Sequence, residues 1–192
     1  MKRRFLFLVA SARREGNTET LARLAAAQLP ADVEQQWLYL DEHPLAAFED
    51  IRHYGGKSNP YPQPEGNERV LLEATLAATD LVFVTPVYWY SMPSTAKLYL
   101  DHWSGWMRVP GVDFRARMAG KTLWAVSVLA DEDPKTAQFL LGTLRQSAEY
   151  MSMHWGGELV GSGSAPGDVL KDRRAVEKAR GFFAGATVSA RP

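Results

Sequence analysis

Two periodicities take turns along this chain. Apolar runs such as Phe5-Leu6-Phe7-Leu8-Val9, Leu81-Val82-Phe83-Val84 and Leu123-Trp124-Ala125-Val126 carry no polar alternation, and stretches with helical spacing separate them. A strand with one wet face alternates apolar with polar residues, whereas a parallel strand covered by helices on both faces does not. The pattern predicts strands over residues 4–10, 33–39, 81–85, 122–129 and 154–161, and helices over 18–29, 68–77, 94–106, 134–151 and 172–184. Strands and helices in alternation define an α/β fold, and right-handed crossovers wind it into a three-layer sandwich. The expected core is a five-stranded parallel sheet of order 2-1-3-4-5 with helices on both faces.

Local chemistry supports the helix starts. Pro93 precedes Ser94 and Thr95, Asp133-Pro134 pairs a cap with a first-turn proline, and Asn67 can cap a helix beginning at Glu68. No repeat or low-complexity tract breaks the order, and 192 residues with 46% hydrophobic content suffice for one core without metal or disulfide support. A single domain over residues 1–186 is expected, with a frayed tail at 187–192. One segment exceeds a simple connection: residues 43–66 contain Gly55-Gly56, Asn59-Pro60-Tyr61-Pro62 and Pro64. It is either a lid over a site or a wrap covering the sheet edge, and length does not separate the two.

Charge and composition mainly exclude. Lys plus Arg total 22 and Asp plus Glu total 22, so nothing global points to nucleic acid or an anionic membrane surface. Cysteine is absent. That removes disulfides, thiolate metal sites, Cys-bound iron–sulfur clusters and the Cys nucleophile of phosphatases that also cradle an anion between strand and helix. His43, His53, His102 and His154 are scattered without metal-ligand spacing and are expected at surface or packing positions, so no metal site is expected. The apolar run after Met1-Lys2-Arg3-Arg4 is too short for a signal peptide. No apolar stretch approaches the roughly 20 residues of a bilayer span, and a cytoplasmic protein is expected.

Chemistry gathers in two loops. The first, Ser11-Ala12-Arg13-Arg14-Glu15-Gly16-Asn17-Thr18, joins the first strand to the first helix. N–H groups of a helix's first turn lack intrahelical acceptors and lie at the positive end of its dipole, where a phosphate satisfies them. The hydroxyls of Ser11 and Thr18, the amide of Asn17 and the guanidinium of Arg13 or Arg14 would add donors. A plain capping arrangement accounts for the same cluster. No Gly-Lys-Ser or Gly-Lys-Thr follows, and Gly16 stands alone, so neither a P-loop nor a dinucleotide fingerprint fits.

The second loop is Pro86-Val87-Tyr88-Trp89-Tyr90-Ser91-Met92-Pro93, with three successive aromatics at the carboxyl end of the third strand. By itself it suits a packing corner or a subunit contact equally well. In the expected sheet order, however, both loops lie at the switch point where open α/β sheets bind ligands. A phosphate in the first loop and a planar ring at the second, joined by a short chain, describe flavin mononucleotide (FMN).

On these two segments, with Lys97 and Asp101 following the second, the chain resembles the flavodoxin-like FMN-dependent NAD(P)H oxidoreductases, the family of NADPH-dependent FMN reductases and NAD(P)H:quinone reductases. The resemblance covers roughly residues 4–184 and implies a flavodoxin-like fold, an enzyme with FMN as cofactor, NAD(P)H as co-substrate, and a homodimer. It also implies that Ser11, Arg13, Gly16, Asn17 and Thr18 hold the phosphate, that Pro86 and Val87 lie near the ribityl chain, and that Tyr88, Trp89 and Tyr90 contact the ring. The loop after the fourth strand flanks the flavin in the family. Here it reads Leu129-Ala130-Asp131-Glu132-Asp133, without the family's glycine and with an acidic run that disfavours a flavin anion. The cysteines of iron–sulfur members are missing.

The reaction so implied is hydride transfer from NAD(P)H to FMN, then passage of electrons to a quinone, flavin or similar small-molecule acceptor by a ping-pong mechanism. No catalytic triad is expected. Backbone N–H groups from Val87 to Tyr90 would stabilise charge on the reduced ring, and Tyr88 is a candidate proton donor for which simple contact is the plainer role. Arg52, Lys57 and Arg108 are candidate partners of a nicotinamide 2′-phosphate. Tyr99, Trp103 and Trp106 form one helical face, read as packing on the sheet in preference to a dimer interface. The alternatives are a flavodoxin-like electron carrier, which zero net charge disfavours, and a phosphate-binding domain without flavin chemistry.

Overall fold

The computed structural model describes residues 2–56, 59–131 and 133–184. Its strands are β1 (Arg4–Val9), β2 (Glu34–Tyr39), β3 (Asp80–Val84), β4 (Thr122–Leu129) and β5 (His154–Ser162). Its α-helices are α1 (Asn17–Ala26), α2 (Gly66–Ala77), α3 (Ser94–Trp106), α4 (Phe114–Met118), α5 (Gln138–Tyr150) and α6 (Arg173–Ala179). The strands pair in parallel in the order β2-β1-β3-β4-β5. That is the expected flavodoxin-like order, and each strand lies within one residue of its predicted ends.

Period-two alternation explains how apolar runs without polar breaks serve two cores. Phe5, Phe7 and Val9 of β1 pack with Leu21, Ala22, Ala175 and Ala179 of α1 and α6 on one face. Leu6 and Leu8 pack with Leu71, Ala96, Tyr99, Trp106 and Leu144 of α2, α3 and α5 on the other. Tyr99, Trp103 and Trp106 are all buried, with Tyr99 edge-on to Phe83 of the sheet at 5.8 Å, so the packing reading of this aromatic face holds. Phe114 of α4 sits edge-on to Trp103 and Trp106, at 5.6 and 5.4 Å. A five-residue helix is too short to leave a periodic signal, and the sequence pattern did not predict it.

Several predicted helix ends move. Asn67 does not cap α2: the helix begins at Gly66, and the Asn67 amide donates to Pro44 O at 3.1 Å. The helix predicted from residue 134 opens as a 3-10 turn, Pro134–Ala137, with the Asp133 carboxylate accepting from Lys135 N at 3.0 Å. The Asp172 carboxylate caps α6 by accepting from Ala175 N, and α6 stops at Ala179 instead of 184. Beyond it the turn carrying Phe182 and Phe183 sets both rings edge-on to Trp124. The boundary at residue 186, the tail 187–192, Lys57 and Glu132 lie outside the described residues.

The described residues of the 43–66 segment, 43–56 and 59–66, form a wrap laid over helices. Tyr61 stacks on Phe48 at 6.0 Å and lies against Gly105 of α3, where an added Cβ would come within 3.0 Å of its ring. Gln63 donates to Pro110 O at 2.9 Å. His102, also buried, holds the wrap: its Nε2 faces Ala46 O at 2.9 Å and its Nδ1 faces the Glu68 carboxylate at 3.0 Å.

Candidate functional site

Backbone pairing continues past the strand ends. Ala10 N donates to Val84 O (2.9 Å), Thr85 N to Val126 O (3.0 Å), Val87 N to Val128 O (3.2 Å) and Gly163 N to Leu129 O (2.9 Å). Four loops are thereby held at one edge of the sheet. Between them lies a cavity of about 280 Å³ lined by Ser11, Arg13, Gly16, Asn17, Thr18, Pro86, Val87, Tyr88, Val128, Ala130, Gly163 and Ser164. The fold thus brings the first loop and the start of the second into one chamber.

Within the first loop the side chains take distinct tasks. Arg13 N donates to Ser11 Oγ at 3.2 Å and Ser11 Oγ donates to Arg13 O at 3.0 Å, so the serine hydroxyl braces the turn. Asn17 ties this loop to the one after β5: its Nδ2 donates to Ala165 O at 2.8 Å and its Oδ1 accepts from Val169 N at 3.4 Å. Among the described residues the Arg13 side chain makes one bond, from Nη1 to Ser164 O at 3.3 Å, and the rest of its fork has no acceptor there. Arg14 turns away. Its guanidinium stacks on the Tyr39 ring at 4.2 Å and pairs with Asp41 (3.0 Å) and Glu42 (2.8 Å). Thr18 is 3% exposed, lines the chamber, and its hydroxyl has no partner among the described residues.

The second loop is a tight turn of unusual composition. Tyr88 N donates to Ser91 O at 2.8 Å and Ser91 N to Tyr88 O at 3.0 Å, with Trp89 and Tyr90 between them at φ 50° and 64°. Two consecutive left-handed residues make a type I′ geometry that normally selects Asn or Gly. Holding two aromatics there costs on the order of 1–2 kcal/mol each. Of the three aromatics Tyr88 lines the chamber, while Trp89 is 94% exposed and Tyr90 also lies outside. The Val87 and Tyr88 N–H groups are consumed by Val128 O and Ser91 O. Those of Trp89 and Tyr90 have no acceptor among the described residues.

Val128, Gly163 and Ser164 were not foreseen, whereas Ala130 belongs to the loop that the resemblance set beside the flavin. The loop after β4 does reach the chamber through Ala130, and the loop after β5 closes it. Gly163 cannot carry a side chain there: a Cβ would stand 2.7 Å from Val169 N and 3.1 Å from Asn17 Nδ2. The run Gly161-Ser162-Gly163-Ser164 at a strand's carboxyl end was the signal available. None of the 2′-phosphate candidates among the described residues lines the chamber: Arg52 pairs with Asp50, and Arg108 donates to Ser104 O at 2.9 Å. A larger cavity, about 590 Å³, lies between α3 and α5, but its lining includes no charged side chain.

The donor set suits a phosphorylated flavin. One end offers a guanidinium, the Thr18 hydroxyl facing the chamber and the first-turn N–H groups of α1, with no room beside Gly16 for a bulky side chain, since its Cβ would meet Arg13 O at 3.2 Å. The other end is apolar, bounded by Pro86, Val87, Tyr88, Val128 and Ala130. This fold with this site defines a flavodoxin-like flavin oxidoreductase.

The chain belongs to the NADPH-dependent FMN reductase family, whose model matches residues 3–167. It is 32% identical over 165 residues to YwqN of Bacillus subtilis (strain 168), named for a proposed NAD(P)H-dependent FMN-containing oxidoreductase activity, covering 85% of this chain and 87% of that one. Its structure is similar to the Trp repressor binding protein from Bacillus subtilis, with a TM-score of 0.73, 26% identity, and coverage of 93% of this chain and 97% of that one. The fold is shared with an FMN-dependent NADH-azoreductase from Bacillus anthracis str. Ames Ancestor solved with FMN, at a TM-score of 0.66, 10% identity and coverage of 98% and 100%. The chain is accordingly an FMN-dependent NAD(P)H oxidoreductase, and the electron-carrier and flavin-free readings give way. Among the described residues no helix is long and apolar enough to cross a membrane, and no group of His, Asp and Glu is placed to hold a metal ion.

Proposed function

We propose that the chamber holds FMN with its phosphate at Arg13, Thr18 and the first turn of α1, and its ring against Pro86, Val87 and Tyr88. The observation that carries this reading is the single cavity joining an anion-binding loop to an apolar, aromatic-edged one. When bound, FMN accepts a hydride from NAD(P)H and delivers electrons to an acceptor. The protein's own part is binding and electrostatics. Arg13 and the α1 dipole neutralise the phosphate, while Asn17 holds the loop after β5 against the first loop. The N–H groups of Trp89 and Tyr90 are the donors left to meet the ring's polar edge, in place of the wider Val87–Tyr90 set. Tyr88 serves as a contact.

We further propose that donor and acceptor use one exposed face in turn, which yields ping-pong kinetics, and that the acceptor is a quinone, a free flavin or a similar planar molecule. A cytoplasmic homodimer accompanies this reading on the strength of the family resemblance. Steady-state kinetics of the FMN-loaded protein with NADH and NADPH against a panel of quinones, flavins and azo compounds tests it. Parallel double-reciprocal lines with a planar acceptor are expected; intersecting lines would refute the shared face.

A further inference from the structure

Beneath the phosphate loop lies a carboxylate with an unusual number of partners. Glu19, the third residue of α1, has its side chain 3% exposed. Its Oε2 accepts from Glu15 N at 3.0 Å. Its Oε1 accepts from Tyr39 Oη at 2.6 Å and from Arg23 Nε at 2.8 Å, with Arg23 Nη2 also at 2.7 Å. Burial alone would raise the pKa of this carboxyl, but the bonds from Tyr39, Arg23 and Glu15 outweigh it and hold the pKa below the ordinary carboxylate range. Arg23 supplies the compensating charge, so Glu19 adds little negative potential to the loop above it.

Glu19 does not line the chamber, and its consequence there runs through Glu15. That residue has φ 51°, a left-handed conformation costly for a residue with a side chain. Such a conformation persists only where surrounding contacts over-determine it. The contact in question is the bond from Glu15 N to the Glu19 carboxylate. It fixes the peptide that delivers the chain to Gly16, which then enters α1 extended at φ −69° and ψ 168°. Asn17 and Thr18 follow as the first residues of the helix. Without the tie Glu15 is released from the left-handed region, and Arg13 and Gly16 shift against the N–H groups with which they must act.

We propose that Glu19 is a positioning residue that sets the shape of the phosphate loop and thereby the enzyme's preference for FMN over the unphosphorylated riboflavin. This rests on the phosphate assignment made above. The reach of the side chain, more than its charge, is what matters: the bond to Glu15 N needs an acceptor at the end of a Glu-length side chain.

Two conservative substitutions separate reach from charge. Flavin-fluorescence titrations give the FMN and riboflavin dissociation constants of the full chain and of each variant. Glu19→Asp keeps the charge and loses the reach, and it should cut the FMN-over-riboflavin preference about tenfold, the equivalent of one hydrogen bond, with riboflavin affinity held within about twofold. Glu19→Gln keeps an acceptor for Glu15 N and should stay within about threefold of the parent preference. General loosening of the fold would weaken both flavins together and leave the ratio unmoved. An unchanged ratio in Glu19→Asp, or an equal loss in Glu19→Gln, overturns the inference. A parent protein that binds riboflavin as tightly as FMN overturns the phosphate site itself, and this inference with it.

Discussion

Arg13 and Arg14 share one chemistry and stand side by side, yet the fold gives them opposite tasks. Arg14 is spent on Asp41, Glu42 and the face of Tyr39, while Arg13 keeps most of its fork unclaimed at the chamber. Replacing Arg13 with Ala should weaken FMN binding about 10- to 100-fold, as expected for one charge-assisted contact, whereas Arg14→Ala should change it less than about threefold. Equal losses in the two variants, read by flavin titration, would contradict the assignment. The sequence showed two arginines but could not rank them, because the ranking is made by Asp41, Glu42 and Tyr39 some 25 residues further on. Trp89 holds a different lesson. Its left-handed backbone costs on the order of 1–2 kcal/mol and its exposed indole buries nothing in this chain, so Trp89→Gly relieves strain while adding about 0.5–1 kcal/mol of chain entropy. Stability by urea denaturation should change by less than about 1 kcal/mol. A larger loss would mean that the indole packs.

Elements were legible in proportion to how completely they are buried. The inner strands β1, β3 and β4 are largely apolar because helices cover both faces, and their limits could be read within one residue; the more polar and more exposed edge strands β2 and β5 were read as closely. The wrap over residues 43–66 was legible only as an anomaly of length, since its fixings are single polar contacts from remote residues. The chief of these is titratable. Both ring nitrogens of His102 face acceptors, Glu68 and Ala46 O, and Glu68 also accepts from Trp106 Nε1 at 2.8 Å, with Asp101 the neighbouring charge on α3. Burial would lower the imidazole's pKa, yet the bonds to Glu68 and Ala46 O raise it above its ordinary value. His102 therefore contributes stability that is fully present below the ordinary histidine pKa and is lost as pH rises through the elevated one. Glu68, lowered first of all by His102, contributes stability present above the ordinary carboxylate pKa and lost as pH falls through the depressed one. Amide hydrogen exchange across the wrap, corrected for intrinsic rates, should show greatest protection in mildly acidic solution and less at alkaline pH. In His102→Gln the alkaline loss should vanish. Protection independent of pH in the parent would contradict the clamp.

For the whole molecule, topology does most of the functional work. Reversal of the strand order between β1 and β3, which run parallel, opens a crevice at the carboxyl edge, and the four loops ending β1, β3, β4 and β5 converge on it. Two of those loops announced themselves through arginine, glycine and aromatic residues. The other two enter through backbone and small side chains, Ala130, Gly163 and Ser164, whose value is that they leave space. Such residues carry only a weak signature in sequence, the run Gly161-Ser162-Gly163-Ser164 and the family's flanking loop at Ala130, which is why this part of the chamber wall was hard to read there. The proposed two-stroke cycle, in which NAD(P)H loads the flavin and an acceptor discharges it at the same face, draws on the family membership and the shape of the chamber. Anaerobic rapid mixing decides this. NAD(P)H added to the FMN-loaded protein without any acceptor should bleach the flavin's visible absorption completely, and a quinone or free flavin added afterwards should restore it. Bleaching that requires the acceptor to be present at the same time would contradict the shared face, and a protein that retains no FMN would contradict the site.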